Sequence, residues 1–124
     1  MEERKDKIFD IRERTFQFSV EVIKFFRTLE LRKIDVQLVG KQMLRSGTSV
    51  GAMCEEAAAA ESDADFVHKY QIALKEARET HHWLRLMYAT KISSSEELKW
   101  LGTEIAELKK ILAAIIVKKK AKRK

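Results

Sequence analysis

Apolar residues recur along this chain at intervals of three and four, in four blocks separated by short polar stretches. In the first block Ile11, Phe18, Val22, Phe25 and Leu29 keep that spacing, which lines them up on one face of a helix. The predicted helix covers about residues 9–29. Phe16, Val20, Ile23 and Phe26 widen the stripe onto an adjacent face. That is more than one flank of a monomeric bundle needs, so the pattern points to burial on two sides and to an oligomer. Residues 30–33 break the pattern and read as a connection.

The second helix is predicted over about residues 35–60, with Asp35 as N-cap. Val36, Met43, Val50 and Ala57 recur every seven residues and alternate with a second series, Gly40, Gly47 and Cys54. Three of the four glycines, Gly40, Gly47 and Gly51, therefore fall inside a helix, where each costs about 1 kcal/mol relative to alanine. The reading that offsets this cost is a small-residue seam, with Gly40, Gly47, Gly51 and Cys54 letting a neighbouring backbone come close. A phosphate-cradling loop would need Lys and Ser/Thr after the last glycine, but Ala52 and Met53 follow Gly51. A membrane Gly-xxx-Gly motif would need about 20 apolar residues around it, and Arg45, Glu55 and Glu56 interrupt any such run. Ser46, Thr48 and Ser49 have hydroxyls that can bond back to carbonyls one turn earlier, or serve a neighbouring helix or a ligand.

Ser62, followed by Asp63 and Asp65, marks the next helix start. The helix extends to about Thr90, with Phe66, Tyr70, Ala73, Ala77, Thr80, Leu84 and Met87 on one seam and Val67, Leu74, His81 and Tyr88 beside it. After a connection at 92–95, Ser94 and Glu97 form a predicted capping box for the last helix. Its core face is Leu98, Leu101, Ile105, Leu108, Leu112 and Ile115. Four amphipathic helices with short links imply an all-α fold, an antiparallel up-down-up-down four-helix bundle. Residues 1–117 form the bundle, and 118–124 a basic C-terminal tail.

Composition agrees: no proline, 45% hydrophobic and 35% charged residues in a chain of 124. The net charge of +6 changes the picture, because it has a location. Lys118, Lys119, Lys120, Lys122, Arg123 and Lys124 supply six cations, and the rest of the chain holds 19 basic and 19 acidic residues. Such a tail can contact phosphates in a salt-sensitive, sequence-independent way. It can equally be a solubilising helix end favoured by the helix dipole. The single cysteine excludes an intramolecular disulfide and fits a reducing cytoplasm. No apolar run reaches membrane length, and the charged N-terminus has no signal-type segment behind it, so the expected location is cytoplasmic.

Catalytic and metal chemistry find little support. Glu79-Thr80-His81-His82 contains an ExxH pattern, and Asp65-Phe66-Val67-His68 is related to it. Both lie on one helix, about 21 Å apart at 1.5 Å per residue, whereas two metals about 4 Å apart need such motifs on facing helices. No metal, cofactor or catalytic set is expected, and the chain reads as a non-enzyme. Arg45, Lys69, Lys75, Arg78 and Arg85 remain as candidate binders, or as partners of Glu55, Glu56, Glu76 and Glu79.

Met43-Leu44-Arg45-Ser46-Gly47-Thr48-Ser49-Val50-Gly51-Ala52, Glu55-Glu56-Ala57, Ala60-Glu61-Ser62, Asp65-Phe66 and the run from Ile72 to Leu84 resemble the four-helix-bundle proteins encoded in intervening sequences of bacterial 23S rRNA genes. The resemblance is strong over residues 43–90 and one of pattern outside it. Met53-Cys54 stands where that family usually has Asn-Ile. The resemblance implies a bacterial, cytoplasmic bundle assembled as a ring-like homopentamer. It also implies kinship with accessory subunits of diversity-generating retroelements, which bind nucleic acid and a reverse transcriptase. The expected function is association with RNA or DNA through Arg45 and Lys118, Lys119, Lys120, Lys122, Arg123 and Lys124. The alternatives are a scaffold docking a reverse transcriptase or other protein, and an enzyme with a metal site between protomers.

Overall fold

The computed structural model describes residues 7–123, with side chains described over 11–122. Four helices follow in order: α1 (Lys7–Phe26), α2 (Ile34–Ala58), α3 (Asp63–Ala89) and α4 (Glu96–Arg123). No strand occurs among the described residues. Each helix packs against two others, α1 on α2 and α4, α3 on α2 and α4, closing an all-α four-helix bundle.

One apolar core fills it, for the reason the spacing gives: residues three and four apart share a face. Ile11, Phe18, Val22 and Phe25 of α1 meet Met43, Val50 and Cys54 of α2 there. Tyr70, Ala77 and Leu84 of α3 and Leu101, Ile105 and Leu112 of α4 complete it. Thr15 joins the buried face of α1, while Phe16 and Ile23 are exposed at 59% and 38%. The seam of α3 runs through Val67 rather than Phe66, and that of α4 closes with Ile116 rather than Ile115. In both cases neighbouring apolar positions compete for one place, and the accumulated 3.6-residue drift decides.

Helix ends show where local rules held. The Ser62 hydroxyl accepts from the Asp65 N–H at 3.0 Å and caps α3 as expected. Asp35 does not cap α2: the cap position is Lys33, without a side-chain bond, and the Asp35 carboxylate accepts from Val36 N–H inside the first turn. The cap of α4 is Ser95, whose hydroxyl accepts from Leu98 N–H at 3.2 Å, so the Ser94–Glu97 box does not form. A serine run offers equivalent caps, and the chain direction leaving α3 selects one. That exit is a left-handed turn at Lys91 (φ 62°), with Ile92 N–H donating to the Met87 carbonyl at 2.9 Å. Helix α1 ends at Phe26, short of the predicted 29, because Thr28 and Leu29 N–H groups bond three residues back.

Candidate functional site

The 45–56 stretch lies on α2, where it meets both α1 and α3. The α2 glycines all face close neighbours, but the expected neighbouring backbone is present only at Gly51; side chains fill the space at Gly47 and, one turn before the stretch, at Gly40. A Cβ on Gly51 would sit 3.1 Å from the Thr15 carbonyl oxygen and 3.2 Å from its carbon, so the α1 backbone itself occupies that space. On Gly47 it would meet Val22 at 3.0 and 3.2 Å, and Thr80 of α3 at 3.6 Å. On Gly40 it would meet the tip of Leu29 at 2.9 Å and Phe26 at 3.4 Å. Cys54 is fully buried beside Thr15 and Tyr70, and burial pushes its thiol pKa up to about 11. Such a thiol is a packing group, not a nucleophile. The Tyr70 hydroxyl is buried without a nitrogen or oxygen partner among the described residues, and its pKa is likewise raised by burial.

The hydroxyls of this stretch bond inward or back along the helix. Thr80 donates to Ser46 at 2.8 Å in the core, joining α2 to α3. Thr48 and Ser49 donate to the carbonyls of Leu44 and Arg45 at 2.8 and 2.7 Å. None of the three is left pointing at a ligand.

Charge on this face is organised as pairs between helices. Arg45 reaches from α2 to Glu76 at 3.3 Å and to Glu79 on α3, and Glu79 also accepts from the Trp83 indole N–H at 3.3 Å. The guanidinium is half-exposed, but two carboxylates already match its charge. Arg12 of α1 grips Glu55 with two bonds, at 3.3 and 2.8 Å. Lys69 bridges Glu56 and Asp65 at 3.5 and 3.6 Å. On the opposite side Arg14 holds Glu104 of α4, again bidentate. The Arg12 and Arg14 pairs escaped the sequence reading. They join residues 43 and 90 positions apart, and no local signal encodes such a register.

The basic run continues α4 as helix. Lys119 turns back onto the bundle, 3.3 Å from Asp63 and 4.9 Å above the Phe66 ring. Lys118, Lys120 and Lys122 are exposed. The Arg123 side chain and Lys124 lie outside the described residues. Histidines and acids do not gather: among the described residues no group of three or more His, Cys, Asp or Glu could hold a metal. The ExxH pattern at 79–82 is broken up, with Glu79 on Arg45 and His82 edge-on to Trp83. Among the described residues no helix is long and apolar enough to cross a membrane.

Comparison with known proteins covers the bundle and stops short of the basic run. The sequence profile of a family described as 23S rRNA-intervening sequence protein matches residues 7–114, from the start of α1 into α4. A crystal structure from Bacteroides thetaiotaomicron VPI-5482, described as a protein with unknown function from the S23 ribosomal protein family, superposes with a TM-score of 0.81. The two chains are 36% identical over 89% of this chain and 97% of that one. Among curated proteins no sequence matches.

Proposed function

This chain belongs to the 23S rRNA-intervening sequence protein family, and from that premise we propose that it is a non-enzymatic, cytoplasmic RNA-associated protein. The observation that carries the reading is the end of α4, where Lys118, Lys120 and Lys122 are exposed with no acidic partner among the described residues. Lys118 and Lys122, one turn apart, share a face of the helix and Lys120 lies on the other side, so the end of α4 offers cations to phosphates around its circumference. The reading needs no metal or cofactor. Arg45 contributes less than the tail, because Glu76 and Glu79 already match its charge.

The working form is an antiparallel up-down-up-down bundle assembled as a homopentameric ring, as the family resemblance implies. Support for the helix directions comes from paired residues whose numbers rise along α1 as they fall along α2, from Arg12 with Glu55 to Val22 with Gly47. Support for assembly comes from Phe16 and Leu38, apolar and about 60% exposed, which a second copy would cover. A ring would multiply the six tail charges fivefold. Those apolar residues also favour a second reading, a scaffold docking another protein such as a reverse transcriptase.

Filter binding of 23S rRNA fragments at rising salt, with and without residues 118–124, tests the first reading. Binding at low salt that the truncation abolishes supports it; no binding, or indifference to the truncation, overturns it. A stoichiometric protein partner that co-purifies after nuclease treatment favours the scaffold.

A further inference from the structure

Gly102 is the glycine that nothing fills: a Cβ built on it meets no atom within 4 Å. Gly40, Gly47 and Gly51 are each crowded by a neighbour, so packing accounts for them and not for Gly102. A helix-interior glycine is unfavourable, and here its effect is to deepen a groove of about 780 Å³ between α3 and α4. Gly102 and Ala106 of α4 and Leu84 and Ala89 of α3 line it with small and apolar surface. Tyr88 lines the same groove and is 55% exposed, unusual for a large ring within a bundle.

The groove is also positive. Arg85, Lys99 and Lys110 line it against one acid, Glu107. Lys99 is 3.6 Å from Glu96, whereas Arg85 and Lys110 have no ion-pair partner among the described residues. His81, in the same groove, is held below its ordinary pKa chiefly by burial and then by the nearby cations Lys109 and Arg85. An exposed aromatic face beside a shallow apolar floor and uncompensated cations is the set that takes a base and its phosphates. An acidic peptide would use the cations but would leave the ring and the open glycine without a role.

We propose that the α3–α4 groove binds single-stranded RNA, with a base stacked on Tyr88 over the Gly102–Ala106 floor and phosphates on Arg85 and Lys110. The site deepens the RNA reading above and rests on it, but places sequence-tolerant stacking away from the basic end of α4.

The test is fluorescence anisotropy of the full chain with a labelled oligouridylate carrying 4-thiouridine, followed by ultraviolet cross-linking and peptide mapping. Gly102→Leu fills the groove where there is room for it, and Tyr88→Ala removes an exposed ring, so at least the second variant keeps its fold. Each should weaken binding about tenfold or more, and the wild-type cross-link should map to α3 or α4 around the groove. Arg85→Gln should lower the salt slope by about 0.7. If both groove variants bind like wild type while removal of the tail cations abolishes binding, the groove is wrong and the RNA reading stands. If the wild type binds no RNA at low salt, both fall. A polyglutamate peptide that binds as tightly as the RNA and loses affinity with Gly102→Leu would assign the groove to an acidic protein and overturn the proposal.

Discussion

Replacing each glycine with alanine, one at a time, separates crowded positions from open ones. Alanine favours the helix by about 1 kcal/mol at every site, so the differences report the space around the new methyl. At Gly102 nothing lies within 4 Å, and the full helix gain, about 0.5–1 kcal/mol of stabilisation, should appear. At Gly40 the obstacle is the tip of Leu29, a flexible side chain at 2.9 Å that can rotate away, leaving a net change near zero. At Gly47 the obstacle is Val22, two methyls at 3.0 and 3.2 Å on a β-branched residue stiff at χ1. Overpacking of roughly 1–2 kcal/mol there should slightly outweigh the helix gain. At Gly51 the obstacle is the Thr15 carbonyl, backbone at 3.1 Å. Only separating α1 from α2 relieves it, so a net loss of about 1–2 kcal/mol is expected. Urea unfolding followed by circular dichroism, at one protein concentration, gives the order 102 above 40, above 47, above 51. A Gly51→Ala protein as stable as Gly102→Ala would refute the close-approach account of α2.

Other outcomes follow from single groups. Lys91 holds a left-handed φ of 62°, so Lys91→Gly should stabilise by roughly 0.5–1 kcal/mol, read as a higher urea midpoint at unchanged slope; a lower midpoint would contradict the strain. The folded-state pKa of His81 is lowered by burial and the cations Lys109 and Arg85, so the unfolded chain binds its proton first. Stability should therefore fall as pH drops from its ordinary value of 6.5 through the lowered one, and His81→Gln should flatten that part of the profile. Cys54, buried with its thiol pushed up to about 11, should react with iodoacetamide at pH 8 roughly a hundredfold more slowly in the native protein than in denaturant. Stoichiometric native labelling at the denatured rate would show that the thiol is not enclosed.

Helix number and most of the core are legible in the sequence because both depend on spacing within one helix. The Ser62 cap is legible for the same reason, since cap and acceptor lie three residues apart. Asp35 and Ser94 do not cap their helices because capping depends on the direction in which the chain arrives, which the preceding turn decides. Phe16 and Ile23 broaden the stripe of α1 on paper, but among the described residues of one chain they stay exposed. The Arg12–Glu55 and Arg14–Glu104 pairs, and the α3–α4 groove, needed the relative register of helices. Gly102 shows the limit most clearly: four helical glycines look alike in the sequence, and only the neighbouring helices distinguish three close approaches from one opening.

The most direct test of the central claim is the salt dependence of binding to a 23S rRNA fragment, compared between wild type and a Lys118→Gln, Lys120→Gln, Lys122→Gln variant. The account predicts a steep negative slope for the wild type, made shallower in the variant by about two to three units per protomer. Equal slopes for the two proteins, or no binding at low salt, would contradict it.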